Sequence, residues 1–130
     1  MKSKEKIQYW VELSEYDLET AEAMLDTKRF LYVGFMCHLT IEKILKAYYI
    51  LKINENTPFT HNLTGLAESS GIYTEFSNEF KNLLDILEPL NIETRYPTDK
   101  EEVFKSLNES VCKNILINTK RLHQWIKQKL

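Results

Sequence analysis

The chain has 130 residues, of which 43% are hydrophobic and 28% charged, a balance that excludes an intrinsically disordered chain and suits one domain over 1–130. Its formal net charge of −2, from 17 basic and 19 acidic residues, excludes a strongly basic nucleic-acid coat and leaves room for a local basic face. No apolar run approaches the roughly 20 residues of a membrane span. The N-terminus, Met1 to Ile7, is charged and shows no signal-peptide pattern, so no membrane association and a cytoplasmic location are expected.

Periodicity predicts helices throughout. Over 4–27, Ile7, Val11, Ser14, Leu18, Ala21 and Leu25 recur at three- and four-residue steps, with Glu12, Glu15, Glu19 and Glu22 opposite. Asp17 falls on the apolar side and needs a partner there. Over 29–53, Phe30, Gly34, Cys37, Ile41, Ile44, Leu45 and Tyr48 form a stripe, and the helix is apolar nearly all round. Such a helix is central in its domain or packs on another chain. One facet is mixed: Phe35, His38, Glu42, Lys46 and Tyr49, in which His38–Glu42 and Glu42–Lys46 are both four-residue pairs.

Asn54, Asn56 and Pro58 mark a connection. Thr60 is the predicted cap of a short helix carrying Leu63, Leu66 and Ala67, which Gly71 ends. A further helix is expected over about 74–87, stopped by Pro89, and then an irregular crossing over 88–98. A last helix is expected over about 99–128, with Phe104, Leu107, Val111, Ile115, Leu122, Trp125 and Ile126 on its apolar face. Lys113, Lys120 and Lys127 lie on the far side, either as a solvated face or as contacts to an RNA backbone. The fold class that follows is all-α, an up-and-down bundle of four main helices plus one short helix.

Neither cysteine, Cys37 or Cys112, has metal-ligand spacing, and both read as reduced core thiols. His38, His61 and His123 lie on three separate predicted elements and Gly34, Gly65 and Gly71 form no phosphate loop, so neither metal nor cofactor is expected.

Four passages carry a resemblance. They are Trp10-Val11-Glu12-Leu13-Ser14-Glu15-Tyr16-Asp17-Leu18, Thr40-Ile41-Glu42-Lys43-Ile44-Leu45-Lys46-Ala47-Tyr48, Thr60-His61-Asn62-Leu63 and Arg95-Tyr96-Pro97. In this order and at these lengths the chain resembles the HEPN family, all-α domains found in prokaryotic defence and stress proteins. The resemblance implies one of two branches. One is similar to metal-independent RNase toxins, with Arg followed after four to six residues by His. The other lacks that motif and is associated with minimal nucleotidyltransferase partners and nucleotide binding. Here positions 100–102 after Arg95 are Lys100, Glu101 and Glu102, and Arg121 and His123 are too close together, so the Arg-Tyr-Pro branch is the better match.

The resemblance therefore implies a nucleotide- or RNA-binding HEPN-like subunit, homodimeric, acting with a nucleotidyltransferase partner in a toxin–antitoxin or defence setting. The alternatives are a metal-independent endoribonuclease with an atypical site and a purely structural homodimerising module. The expected ligand-binding residues are Arg95, Tyr96, His61, Lys46, Glu42 and Asp17, with no catalytic residue assigned. Arg95 offers a planar fork for phosphate, or else pairs with Asp17 or Glu42 and staples the crossing to the bundle. Tyr96 offers a stacking face. His61 offers a donor at a helix start whose backbone N–H groups favour anions, or is a satisfied packing residue. Glu42 and Asp17 would orient the donors.

Overall fold

The computed structural model describes residues 3–92 and 96–130. Its α-helices are α1 (Ser3–Asp26), α2 (Phe30–Ile53), α3 (Leu63–Ser69), α4 (Asn78–Leu87), α5 (Pro97–Ser106) and α6 (Glu109–Lys127), with 3₁₀ turns at Ile72–Glu75 and Glu88–Leu90. Among the described residues there is no strand.

The interhelical contacts fix the topology. Ser3 bonds Asn54, Trp10 faces Lys46 and Asp17 faces Lys43, so α1 and α2 form an antiparallel hairpin. Cys112 donates to the Phe30 carbonyl, and Glu22 meets Lys120 while Glu15 meets Lys127, so α6 runs antiparallel to α1 and parallel to α2. Glu79 meets Arg121 and Phe76 meets Trp125, which sets α4 antiparallel to α6. The four main helices of the up-and-down bundle are thus α1, α2, α4 and α6, and α2 is the central one. Fourteen of its residues are buried, Val33 and Ile41 among them. That burial accounts for a helix apolar nearly all round, because α1, α3, α4 and α6 all pack on it.

Three boundaries differ from expectation, each for a local reason. The side chain of Asn62, rather than Thr60, caps α3 by accepting from the Gly65 N–H at 2.9 Å. The segment 74–87 is a 3₁₀ turn followed by α4, with Ser77 as a second cap. The expected last helix is two helices. Leu107 leaves helical conformation and is buried against Gly34, and the Asn108 carboxamide accepts from the Val111 N–H at 2.9 Å to start α6. Phe104 and Val111, expected in the core, are exposed as a result, while Cys112, Thr119 and His123 are buried instead. α4 ends at Leu87, as the Pro89 stop predicts. Pro89 sits in a 3₁₀ turn that lays Leu90 on Gly34, where an added Cβ would meet Leu90 at 3.0 Å.

Candidate functional site

The mixed facet of α2 becomes a polar cluster inside the bundle. Glu42, 3% exposed, is its centre. Its Oε1 accepts from His61 Nδ1 at 2.8 Å and lies 3.4 Å from His38 Nε2, and its Oε2 accepts from Lys46 Nζ at 3.1 Å. Burial alone would raise the Glu42 carboxyl. The imidazoles of His38 and His61 and the Lys46 ammonium outweigh it and hold the carboxyl at about 2, so Glu42 is ionised throughout the neutral range.

Each partner is fixed from its other side. The Lys46 ammonium stands 5.2 Å from the centre of the Trp10 ring, a cation–π contact from α1. His38 is fully buried, and its Nδ1 lies 3.0 Å from the Leu87 carbonyl. A carbonyl can only accept, so Nδ1 carries a hydrogen and Nε2 is the atom turned to Glu42.

His61 differs from both in being half-exposed. A carboxylate can only accept, so its Nδ1 is the protonated nitrogen. In the neutral ring Nε2 then carries the lone pair. His61 is on the connection ahead of α3. There the Thr60 N–H closes a three-residue turn onto the Pro58 carbonyl at 3.0 Å, with Phe59 at its apex. Phe59 is 104% exposed.

The six expected site residues separate. Glu42, Lys46 and His61 converge. Asp17 is nearly buried on α1 and is held by Lys43, a pair beside the cluster rather than in it. Tyr96 is 78% exposed at the cap position of α5, with Pro97 at that helix's first turn. Arg95, and with it both of its expected roles, lies outside the described residues.

The N–H groups at the start of α3 have acceptors within the fold. The Glu88 carboxylate already accepts from the Leu63 and Thr64 N–H groups at 2.7 and 3.1 Å, and Asn62 takes that of Gly65. The first turn of α3 is thus capped from within the fold. Lys46 likewise is occupied by Glu42 and Trp10, which makes it a holder of the carboxylate.

His38 was missing from the expected set, although its four-residue spacing to Glu42 was the signal. Trp10 and Phe59 were missing too. Trp10 matched a family-like passage without an evident role, and an exposed Phe in a loop has no periodic signature. His123 shows the contrasting case. It is buried, its Nε2 lies 2.9 Å from the Ser14 hydroxyl, which itself donates to the Val11 carbonyl, and burial pushes its pKa down. It is a neutral packing histidine. Burial pushes the thiols of Cys37 and Cys112 up to about 12 and about 11, so neither is a nucleophile at neutral pH.

Among the described residues no group of three His, Cys, Asp or Glu side chains is placed to hold a metal ion, and no helix is long and apolar enough to cross a membrane. No curated protein matches the chain at a significant level. Among solved structures it is similar to TT1696 from Thermus thermophilus, with a TM-score of 0.80 at 15% identity, over 96% of this chain and 98% of that one. That likeness speaks to the fold. The sequence profile of the HEPN domain matches residues 7–129, nearly the whole chain, and the chain therefore belongs to the HEPN domain family.

Proposed function

We propose that this chain is a nucleotide- or RNA-binding HEPN subunit that works beside a nucleotidyltransferase partner, in a toxin–antitoxin or defence setting. The family is nucleotide- and RNA-related and often paired with nucleotidyltransferases, and HEPN domains commonly dimerise. The observation that carries the reading is the buried Glu42 gripping His61 while leaving the His61 ring at the surface. A buried carboxylate costs folding energy that an apolar residue would not. Its retention is accounted for if it orients an imidazole toward a ligand.

In this reading His61 is the first contact, and the crossing at Arg95 and Tyr96 supplies the phosphate fork and a stacking ring. Glu42 and Lys46 orient His61. Asp17 acts on the α1–α2 seam through Lys43 and not on the ligand. The homodimer uses the apolar groove of about 390 Å³ lined by Ile86, Leu90, Val103, Leu107 and Val111, since most of the apolar surface of α2 is buried within its own chain.

The test is fluorescence anisotropy with a labelled single-stranded oligoribonucleotide and with a labelled adenine nucleotide. His61→Ala, Arg95→Ala and Tyr96→Ala are each expected to weaken binding at least fivefold while melting within about 2 °C of the parent. Unchanged affinity in all three overturns the assignment.

A further inference from the structure

We propose that the groove between the start of α1 and the ends of α2 and α6 binds a medium-chain aliphatic carboxylate. The tail lies on the groove floor, and the carboxylate sits at the mouth with Lys4 and Lys127. The site is separate from the polar cluster. Leu51, which lines the groove, is nine residues past Glu42 on α2, about half a turn round the helix axis.

The groove follows from the topology. α1 runs antiparallel to α2 and α6, so its first turns meet their last ones. Ile7 and Val11 stand one turn apart on α1, and Leu51 joins them from α2. Past α6 the Leu130 N–H donates to the Lys127 carbonyl at 3.1 Å, which holds Leu130 beside them. The volume is about 560 Å³, within the range of roughly 300–1,000 Å³ typical of small-molecule sites.

The floor selects the tail. Ile7, Val11, Leu51 and Leu130 are all aliphatic, and no aromatic ring lines the groove. Such a floor offers a base or an aryl group no stacking partner. A hydrocarbon chain needs none, because its gain comes from apolar area removed from water. Leu51 and Leu130 leave such area open, at 41% and 37% exposure.

The mouth selects the headgroup. Lys4 and Lys127 line it and no Asp or Glu side chain does, in a chain whose net charge is −2. Lys127 is shared with Glu15 at 3.0 Å. Among the described residues Lys4 has no ion-pair partner, unlike Lys43, Lys46, Lys113, Lys120 and Lys129. An unmatched ammonium beside bare aliphatic surface is complementary to an anion carrying an aliphatic tail. It repels a cation carrying the same tail.

The experiment titrates the full chain, labelled with ¹³C at its Ile, Val and Leu methyls, with sodium decanoate at neutral pH and below micelle formation. Saturable binding with a sub-millimolar Kd is expected, with methyl shifts centred on Ile7, Val11, Leu51 and Leu130. From hexanoate to decanoate each added methylene should tighten binding by up to roughly fourfold. Decyltrimethylammonium, the same tail on a cation, should bind at least tenfold more weakly. Lys4→Glu should weaken decanoate at least fivefold. Leu51→Glu sets a carboxylate on the exposed part of the floor. It should abolish saturable binding while melting within about 2 °C of the parent. Absence of saturable shifts at Ile7 and Leu51 overturns the site. Equal affinity for the two headgroups, or decanoate affinity unmoved by Lys4→Glu, overturns the role of the mouth. Affinity unmoved by Leu51→Glu places the ligand elsewhere and overturns the assignment. Phosphatidylglycerol vesicles provide the second arm. Co-sedimentation with them, without binding of dissolved decanoate, would make the groove a lipid-surface contact and overturn the free ligand.

Discussion

Two regions of this bundle use the same charged side chains to opposite ends. Along α6 and just past its end, Lys113 pairs with Glu109, Lys120 with Glu22, Lys127 with Glu15 and Lys129 with Glu75, all at 3.0–3.3 Å and all with at least one partner well exposed. Along α2, Glu42, Lys46 and His38 are buried, with only His61 reaching the surface. Water screens the first set, so each pair is worth at most about 1 kcal/mol. The second set has lost its water and depends on its own members for solvation. The contrast separates charges that merely keep a face wet from charges that hold one side chain in place.

The sharpest way to break that contrast is Glu42→Ala. It leaves the Lys46 ammonium buried without its acceptor and takes the carboxylate away from the buried His38 ring. A loss of about 3–5 kcal/mol is expected in urea unfolding, lowering Tm by roughly 10 °C or more. A loss below about 1 kcal/mol would mean that the cluster is as well solvated as the α6 pairs, and the contrast would collapse.

Acid titration is next in size. The Glu42 carboxyl is held at about 2, below its ordinary value of 4.5. A depressed carboxyl contributes stability that is full above about 4.5 and disappears as pH falls through about 2. The span corresponds to about 3 kcal/mol. Burial of neutral His123 has the same sign but acts earlier, below its ordinary 6.5. Chemical unfolding of the parent and of Glu42→Gln, run from pH 7 to pH 2, separates the two. Both chains should lose stability below 6.5, and only the parent should show the further loss between 4.5 and 2. Parallel curves there would remove Glu42 from the account.

Asn108→Ala sharpens a different part of the picture. It removes the cap that separates α5 from α6, and about 1 kcal/mol of stability is expected to go with it. No loss of stability on unfolding would mean that Leu107, packed on Gly34, sets the break without help.

What was readable in the sequence follows from the range of the forces involved. Helix period and the all-round apolar character of 29–53 are local properties, and they identified the bundle and its central helix. The break at Leu107 and Asn108 was hidden because the apolar steps continue across it. Only the approach of Leu107 to Gly34, far away in sequence, makes the turn favourable. Glu42 and Lys46 were visible through their spacing on an apolar helix. Their union with His61 depends on how the loop after α2 folds back, a non-local event without a periodic signature. The place of Asp17 on an apolar face shows that it needs a partner, but that partner, Lys43, is on the other helix of the hairpin, and no spacing rule connects the two.

The smallest expected effect concerns the lysine row. Lys113, Lys120 and Lys127 recur every seven residues, which on sequence grounds suits either a wet face or a track for an RNA backbone. Each is now matched by a carboxylate, and two of those, Glu22 and Glu15, come from α1. A row of cations neutralised one by one presents little net field to a polyanion. RNA contact would instead require each lysine to leave its carboxylate, which then faces the incoming phosphate. The triple change Lys113→Gln, Lys120→Gln and Lys127→Gln should therefore cost less than about 1 kcal/mol in total. It should also leave RNA affinity within about twofold. The salt dependence decides most cleanly, since every phosphate neutralised adds roughly 0.9 to the slope of log affinity against log salt on duplex and roughly 0.7 on single strands. An unchanged slope keeps the row as a solvated face. A slope reduced by about two would make α6 a nucleic-acid surface, and the binding site would then extend well beyond His61.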